Sequence, residues 1–433
     1  MLRARSTTPP SWGPILKTLS PTVPIVDNLT NESRLLMTCA RVTLRPEDVA
    51  TIRALFEGAF NWELLLESAD RHGMSPLLYW HLCELRPHIA PSAPLQLLRA
   101  RFEKNAHRNL FLTGALLKVL RALEEENIRV LAYKGPVQAT CLYGNVALRE
   151  MSDLDLLIEP ATFPAARKLL FGLGYGPALA HTPKQEASRL RSDCEYELVN
   201  SNGTVCLDLH WNIASPHMGQ RFCFDDFWER RRTLLLGGRR LATFSAEDMV
   251  MVLAVHGGKH LWERLCWLSD FAECLQVPNL DWAVLRTRAR AARVERMLFL
   301  ALSLAQDVMD VQLPGERSMP VNTDTTILGI AARIEQNLFQ SEPNAERDVA
   351  RWLALLLLSD SGWDRVRSVA RFATSSGPRE WLTVPLPDSL FAFYPLLRIA
   401  ALLRRAPSLL FSRSPAPAGT QGRMQKTQSV PKT

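Results

Sequence analysis

The stretch that most constrains the fold is 152–158, which reads Ser-Asp-Leu-Asp-Leu-Leu-Ile. Alternate residues of a strand point to the same face, so Asp153 and Asp155 project together while Leu154 and Leu156 project to the other side. Two adjacent acids beside apolar residues are costly unless a cation or hydrogen-bond donors neutralise them. A divalent metal ion is the simplest neutraliser, and a set of oxygen ligands favours magnesium.

A third acid is predicted to join this pair. Apolar-rich runs at 195–199 and 205–211 flank Asn-Ser-Asn-Gly, and Asn-Gly between such runs is a strong hairpin signal. The second run carries Asp208 among residues that otherwise look buried. An Asp-x-Asp strand beside a strand with one Asp is the carboxylate set of a two-metal phosphoryl-transfer site. The alternatives are a structural salt bridge for Asp208 and a solvated strand end for the other two acids.

These motifs resemble those of the nucleotidyltransferase superfamily typified by DNA polymerase beta, in which a glycine turn opens a helix before Asp-x-Asp and a third Asp. More narrowly, the chain is similar to a nucleotidyltransferase family that carries the order KG…LY…R…SD(I/L)DLL…D(L)HW. The matching residues are Lys134-Gly135, Leu142-Tyr143, Arg149, Ser152–Leu157 and Asp208–Trp211. A later block, 256–270, also looks like that family, and the likeness extends from about Leu110 to Leu300.

The resemblance implies a Mg²⁺-dependent enzyme that transfers a nucleoside monophosphate from a nucleoside triphosphate, such as ATP, to an acceptor. Asp153, Asp155 and Asp208 would be catalytic and would bind two Mg²⁺ ions, with Mn²⁺ as an alternative. Asp208 would complete the metal site on the side of the nucleophile or act as its general base. The acceptor stays open between a protein, a small molecule, a peptide and an RNA end, and so does the base of the triphosphate. The alternative is a catalytically silent protein that binds nucleotide or a partner on the same fold.

Six further residues are candidates for contacts to the nucleotide. Gly135 would let the backbone approach a phosphate and Lys134 would add positive charge, although a plain tight turn is the alternative. The wider superfamily usually has Gly-Ser where this chain has Lys-Gly-Pro. Arg149 would bind a phosphate or pair with one of the acids, and the sequence does not decide between them.

The other three candidates lie later in the chain. His210 shares a strand face with Asp208, so it would contact the nucleotide or, as we favour, orient the acid. Lys259 and His260 follow His256 on a predicted helix and would contact a phosphate or base, with helix packing as the alternative. A zinc-protease motif is excluded because Gly257 stands where His-Glu-x-x-His needs Glu. Asp270 would be a partner for one of these side chains.

The predicted fold class is α+β, with a small mixed-sheet core at 127–244 between helical regions at 33–126 and 245–411. Apolar spacing predicts a long helix over 92–126, with Leu110 and Leu117 among its apolar positions. Within the core we predict a helix over 160–173, a polar connector or substrate loop over 177–191, and an edge strand over 239–244. In the last region one helical stretch is predicted over 325–358. The segments 1–32 and 412–433 are predicted to be disordered.

Composition limits the partners. Seven of the 51 Lys and Arg residues lie in 389–433, which has no acid, and this leaves 44 basic against 44 acidic residues elsewhere. The neutral body argues against tracking along long RNA.

Eight scattered cysteines, mostly in apolar runs, predict buried free thiols and a reducing, cytoplasmic location. No signal peptide or transmembrane segment is predicted. The stretch 390–411 is predicted to be a packed helix, with a basic element at a membrane surface as the alternative.

Overall fold

A computed structural model of the chain describes residues 29–85, 91–313, 324–340, 346–374 and 377–400. Nearly all of the predicted leader 1–32, the whole tail 412–433 and the second half of 390–411 lie outside these ranges. The fold class is α+β, as predicted, with a five-stranded sheet, a two-stranded sheet and many helices. Among the described residues, no helix has both the length and the apolarity needed to cross a bilayer.

Before residue 126, the regular elements of the described residues are all helices. They span Asn31–Thr38, Pro46–Phe56, Trp62–His72, Ser75–Glu84 and Ser92–Glu125. The last of these, the long helix, buries Leu112, Leu116 and Leu123 against the sheet, whereas Leu110 is 61% exposed. The predicted apolar stripe was therefore wrong at Leu110. The helix is long enough to pack against other helices at its start and against the sheet at its end, so its buried face is not one straight stripe.

The central sheet contains five strands. They are β1 Val130–Ala132, β2 Asp153–Ile158, β3 Tyr175–Pro177, β4 Glu195–Asn200 and β5 Cys206–His210. Their order across the sheet is β1-β2-β5-β4-β3. Strands β2 and β5 run parallel, and the other neighbouring pairs are antiparallel. The predicted hairpin is confirmed as β4 and β5, and the mixed sheet places the Asp-x-Asp strand directly beside the strand of Asp208.

The two faces of this sheet have different surroundings. Leu154 and Leu156 are fully buried in a core formed with the long helix and the helix Phe163–Gly172. Leu157, on the opposite face, belongs to a second core that extends through the N-terminal and C-terminal helices. The alternation predicted for β2 is therefore present, and the face that carries the acids is covered by helices from both ends of the chain.

Two elements of the core differ from the sequence prediction. The polar segment 177–191 contains a helix, Pro183–Ser192, which starts with a capping box between Thr182 and Gln185. That capping signal was present in the sequence but was overlooked because the segment has no apolar stripe at helical spacing. The predicted edge strand is β7, Arg239–Thr243, which pairs with an unpredicted strand β6, Arg232–Leu236, in a separate two-stranded sheet.

A short helix, Phe224–Glu229, connects the two sheets. The helices after the second sheet are Ala246–Lys259, Leu265–Leu275, Trp282–Ala292, Glu295–Asp307, Thr325–Leu338, Glu346–Leu357, Gly362–Thr374 and Pro378–Thr383. The stretch predicted as one helical region over 325–358 thus forms two helices. These helices contact the N-terminal ones, since the Glu273 carboxylate accepts from the Val42 amide at 2.7 Å and His72 Nδ1 accepts from the Leu265 amide at 3.2 Å.

The cysteines are free thiols, but not all are buried as predicted. Cys39, Cys194, Cys266 and Cys274 are buried and Cys141 is half-buried. Cys83, Cys206 and Cys223 are exposed. Cys206 faces outward because it stands at the first position of β5, at the edge of the buried part of the strand.

Gly257 is required by a close contact inside the helical region. A Cβ atom at this position would lie 2.4 Å from two ring atoms of Trp262, a fully buried side chain, and such an overlap forces the structure to shift. We expect Gly257→Ala to destabilise the protein by about 3 kcal/mol, measured as the free energy of unfolding in urea. Gly258→Ala is the matched control, because its Cβ would meet only the flexible Met297 side chain at 3.3 Å. Equal stability of the two variants would contradict this account.

Candidate functional site

The register of β2 and β5 brings the predicted acids to one face of the sheet. Asp155 is directly opposite Asp208, Asp153 is opposite Cys206, and Leu157 is opposite His210. Residues paired across adjacent strands project to the same side, about 5 Å apart. Asp153, Asp155, Asp208 and His210 therefore share a face, although the acids are more than fifty residues apart in sequence.

Asp155 is the centre of this arrangement. Its side chain is almost completely buried, and one oxygen, Oδ1, accepts from Lys134 Nζ at 2.7 Å and lies 3.1 Å from His210 Nε2. The other oxygen, Oδ2, is buried without a hydrogen-bond partner. Burial alone would raise the pKa of Asp155, but the Lys134 charge and the His210 contact hold it well below its usual range. Asp155 is therefore an ionised carboxylate with one unused ligand atom.

The pKa values of the other two acids, Asp208 and Asp153, are raised instead of lowered. Burial, followed by the charges of Asp155 and Asp153, raises the pKa of Asp208 to about 8. Burial and the Asp155 charge also raise the pKa of Asp153. Like charges held this close in a partly buried site repel one another unless a cation is added.

The turn at Lys134 and Gly135 is fitted to the acid strand. Gly135 has a positive φ of 54°, and a Cβ there would lie 3.0 Å from the Asp153 carbonyl oxygen. Glycine is thus needed for close approach to β2, in addition to any role at a phosphate. Burial would lower the pKa of Lys134, but the charge of Asp155 and their hydrogen bond raise it. Lys134, predicted to meet a phosphate, contacts Asp155 in this structure.

Glu195 is a member of the site that the sequence analysis missed. It is paired with His210 across the β4–β5 ladder, and its carboxylate lies 3.3 Å from His210 Nδ1 and 4.0 Å from Lys259 Nζ. His210 thus stands between two carboxylates, Asp155 and Glu195, which supports the favoured orienting role. Counting residues back across the predicted hairpin turn would have placed Glu195 opposite His210.

Lys259 and His260 have different surroundings. Lys259 is at the edge of the acid cluster through Glu195. His260 packs between the rings of His256 and Trp267 and lies 3.3 Å from an Arg351 nitrogen. Burial and the charges of Lys259 and Arg351 lower the pKa of His260 to about 4, so it is neutral at physiological pH. The structure therefore brings Lys259, but not His260, to the carboxylates.

Arg149 forms a buried pair with Asp270 rather than with the catalytic candidates. Its Nε and Nη2 donate to the two oxygens of Asp270 at 2.9 and 3.0 Å, and the Tyr143 hydroxyl donates to the same carboxylate at 2.8 Å. Asp270 is almost fully buried. The expectation that Asp270 serves one of the histidines or Lys259 was wrong, because the helix Leu265–Leu275 turns it towards Arg149 and Tyr143 instead.

This pair gives a prediction about stability. Asp270→Ala leaves the guanidinium of Arg149 buried without its counter-ion, so we expect a loss of about 3–5 kcal/mol in the free energy of unfolding. The double variant Arg149→Met/Asp270→Leu should regain much of that loss, because no unpaired charge is left. A loss below about 1 kcal/mol for Asp270→Ala would contradict the structural role.

The cluster fits a divalent cation. Ligand atoms of Asp155, Asp208 and His210 all lie within 4.8 Å of one another, and the same holds for Cys194, Glu195 and His210. Asp153 is on the same face but outside these two groups. Four carboxylates, from Asp153, Asp155, Glu195 and Asp208, face two ammonium groups, from Lys134 and Lys259. The unpartnered Oδ2 of Asp155 and this excess of negative charge are the features that a bound metal would satisfy.

Comparison with known protein families identifies the family of this chain. The sequence matches the family described as uncharacterised nucleotidyltransferase over residues 58–310, more than half of the chain. The chain therefore belongs to this nucleotidyltransferase family, and the match begins well before Leu110, where the sequence motifs had suggested that it starts.

Two further results complete the comparison. The chain is similar to a crystal structure of an antigenic nucleotidyltransferase-like protein from Paracoccidioides brasiliensis, at 14% identity and a TM-score of 0.29, covering 49% of this chain and 96% of that one. The search of curated proteins found no match to this chain.

Proposed function

We propose that this protein is a Mg²⁺-dependent nucleotidyltransferase that transfers a nucleoside monophosphate from a nucleoside triphosphate to an acceptor. The observation that supports this most is the pairing of Asp155 with Asp208 on adjacent strands of a sheet in a nucleotidyltransferase family member. Asp153, Asp155 and Asp208 are the proposed metal ligands, with Mn²⁺ as an alternative ion. A bound cation would supply positive charge to the phosphate oxygens and lower the pKa of the attacking hydroxyl.

The chain's own residues have distinct roles in the proposed transfer. An acceptor oxygen forms a bond to the α-phosphorus as the bond from that phosphorus to the bridging oxygen breaks, and pyrophosphate leaves. Asp208 takes the proton from the acceptor hydroxyl, since its carboxylate is on the same face of the sheet as Asp155 and has an oxygen that can accept it. His210 holds Asp155 from one side, and Lys134 holds it from the other.

The positively charged residues are proposed to help bind the triphosphate. Lys134 is 17% exposed and Lys259 is 30% exposed, so both side chains are partly accessible to solvent. Beside a bound cation, the Lys134 ammonium would donate to a phosphate oxygen as well as to Asp155. Gly135 keeps the backbone of this turn close to β2. Arg149 and His260 contribute indirectly in this proposal, through the packing of the helices that cover the site.

The test uses triphosphates labelled at the α-phosphate. The wild type is incubated with each triphosphate, Mg²⁺ and candidate acceptors, beside Asp155→Asn and Asp153→Asn. We expect both variants to reduce label transfer more than about 100-fold, since even partners of metal ligands cost 10–100-fold when lost. Asp226→Asn, an exposed acid outside the cluster, is the matched control. If the wild type binds triphosphate but neither retains nor transfers label, the protein is a silent binder.

A further inference from the structure

A cavity lies between four parts of the chain. Its volume is about 310 Å³, which is within the range of small-molecule sites. It is lined by Ser188, Arg191, Ser192, Pro216, His217, Arg371, Thr374, Phe391, Ala392 and Pro395. The helices Pro183–Ser192 and Gly362–Thr374 form two walls, and the loop around 216 and the segment 388–395 form the others.

Hydrogen bonds between these parts hold the walls together. The Ser368 hydroxyl donates to the His217 carbonyl, and Arg371 Nη1 donates to the Pro216 carbonyl at 2.5 Å. At the other end, the Thr182 hydroxyl donates to the Asp388 carboxylate at 2.5 Å. The helix Gly362–Thr374 is thus tied to the loop, and the segment that contains Phe391 is tied to the start of the helix Pro183–Ser192. These hydrogen bonds fix the positions of the elements that line the cavity.

The lining has a positive character. It contains two arginines and no Asp or Glu. Arg191 is exposed, and no carboxylate pairs with it among the described residues. Arg371 uses Nη1 for the Pro216 carbonyl, so the rest of its planar fork stays available. Guanidinium groups with free donors bind phosphate and carboxylate groups through paired hydrogen bonds.

The remaining lining residues add hydroxyl groups and an apolar wall. The hydroxyls of Ser192 and Thr374 donate to carbonyls of their own helices, at 3.0 and 2.8 Å, so these two protons are already used and the arginines supply the donors for an oxyanion. Phe391 and Pro395 offer apolar surface on the opposite side. Burial lowers the pKa of His217, the nearby Asp193 carboxylate raises it, and the charges of Lys259 and Arg371 lower it; the net change is downward, so the positive charge of the cavity lining comes from its arginines.

The cavity is close to the proposed site of transfer. Ser192 precedes Glu195 by three residues, and three Cα–Cα steps of 3.8 Å span at most about 11 Å. Glu195 in turn contacts His210, which contacts Asp155. Lys259 is near both the acid cluster and the cavity, because it lies 4.0 Å from Glu195 and its charge lowers the pKa of His217.

We propose that this cavity binds an oxyanion-bearing small molecule, a phosphate ester or carboxylate with a small apolar body, and that it anchors the anionic end of the acceptor. Arg191 and Arg371 bind the oxyanion, and Phe391 packs against the apolar body. The role as an acceptor subsite rests on the proposed nucleotidyl transfer, whereas the binding of the oxyanion does not. An anchor remote from the reacting atoms is a common way to position a substrate.

Binding is tested with phenyl phosphate and benzoate, titrated calorimetrically into the full chain without nucleotide or metal. We expect saturable one-to-one binding of at least one probe, and the tighter of the two identifies the oxyanion. Arg191→Gln should weaken it at least about tenfold, because this exposed side chain acts only through the ligand. Arg53→Gln, an exposed arginine on another helix, should bind as the wild type does. Absence of saturable binding, or equal binding by Arg191→Gln, would overturn the proposal.

A second measurement links the cavity to transfer. In a transfer assay with an acceptor, Arg191→Gln should raise the acceptor KM about tenfold and leave the triphosphate KM unchanged. A rise in the triphosphate KM instead would overturn the assignment to the acceptor. If the probe binds in an Arg191-dependent way but the protein transfers no nucleotide, the oxyanion site stands. That result would contradict only the proposed function.

Discussion

Asp208→Asn is expected to make the protein more stable when no divalent cation is present. In the unfolded chain this carboxyl ionises near pH 4, whereas in the folded protein burial and the neighbouring acids raise its pKa to about 8. The folded state therefore holds the proton more tightly between these values, and its contribution to stability falls as pH rises from about 4 to 8. Asn carries no charge, so the variant does not lose stability by ionising a buried group. We expect its free energy of unfolding to exceed that of the wild type by an amount on the order of 2 kcal/mol at pH 8.

The same variant should lose its response to metal. Mg²⁺ or Mn²⁺ should raise the melting temperature of the wild type, because binding to the folded state alone is stabilising, and the variant should show no such rise. Glu197→Gln is the matched control, since Glu197 is also paired with Asp208 in the sheet but is exposed. Thermal melts in EDTA and in Mg²⁺ measure both effects. A variant less stable than the wild type in EDTA, with an intact response to Mg²⁺, would contradict the account.

Lys134→Met is expected to have a large effect of the opposite sign. Without the ammonium, Asp155 is a buried carboxylate supported only by His210, and breaking a buried pair costs about 3–5 kcal/mol. A divalent cation should restore part of this loss, so the stabilisation by Mg²⁺ should be greater in the variant than in the wild type. The measurement is the free energy of unfolding in urea, with EDTA and then with Mg²⁺.

The control for this experiment is Lys259→Met. Lys259 is partly exposed and 4.0 Å from Glu195, a geometry that contributes less than about 1 kcal/mol. If Lys134→Met were as stable as the wild type in EDTA, Lys134 would not be the internal counter-ion of Asp155. If the variant were unstable and Mg²⁺ gave it no more help than the wild type, the cation would not bind at Asp155.

The centre of the site was predictable from sequence because it depends on short-range geometry. The period of two along β2 separates Asp153 and Asp155 from Leu154 and Leu156, and the structure buries both leucines on the other face. The hairpin signal at Asn-Gly was sufficient to define β4 and β5. The prediction that Asp208 would lie near the other acids needed one further assumption, that β5 pairs with β2, and the sheet contains that pair.

Other parts depended on contacts that no local pattern encodes. Arg149 and Asp270 are 121 residues apart, and only the packing of the helix Leu265–Leu275 against the core brings them together. The contact of Lys134 with Asp155 likewise depends on how β1 pairs with β2. The separate two-stranded sheet was missed because β6 has arginine and threonine at its start and no apolar alternation strong enough to separate it from a loop.

The most direct test of the central claim is a crystal structure of the wild type with Mn²⁺ and a non-hydrolysable triphosphate, with the ion located by its anomalous scattering. The account predicts an ion within about 2.5 Å of carboxylate oxygens of both Asp155 and Asp208, with the triphosphate bound beside it. An ordered ion that contacts neither carboxylate, or a triphosphate bound away from this face of the sheet, would contradict it.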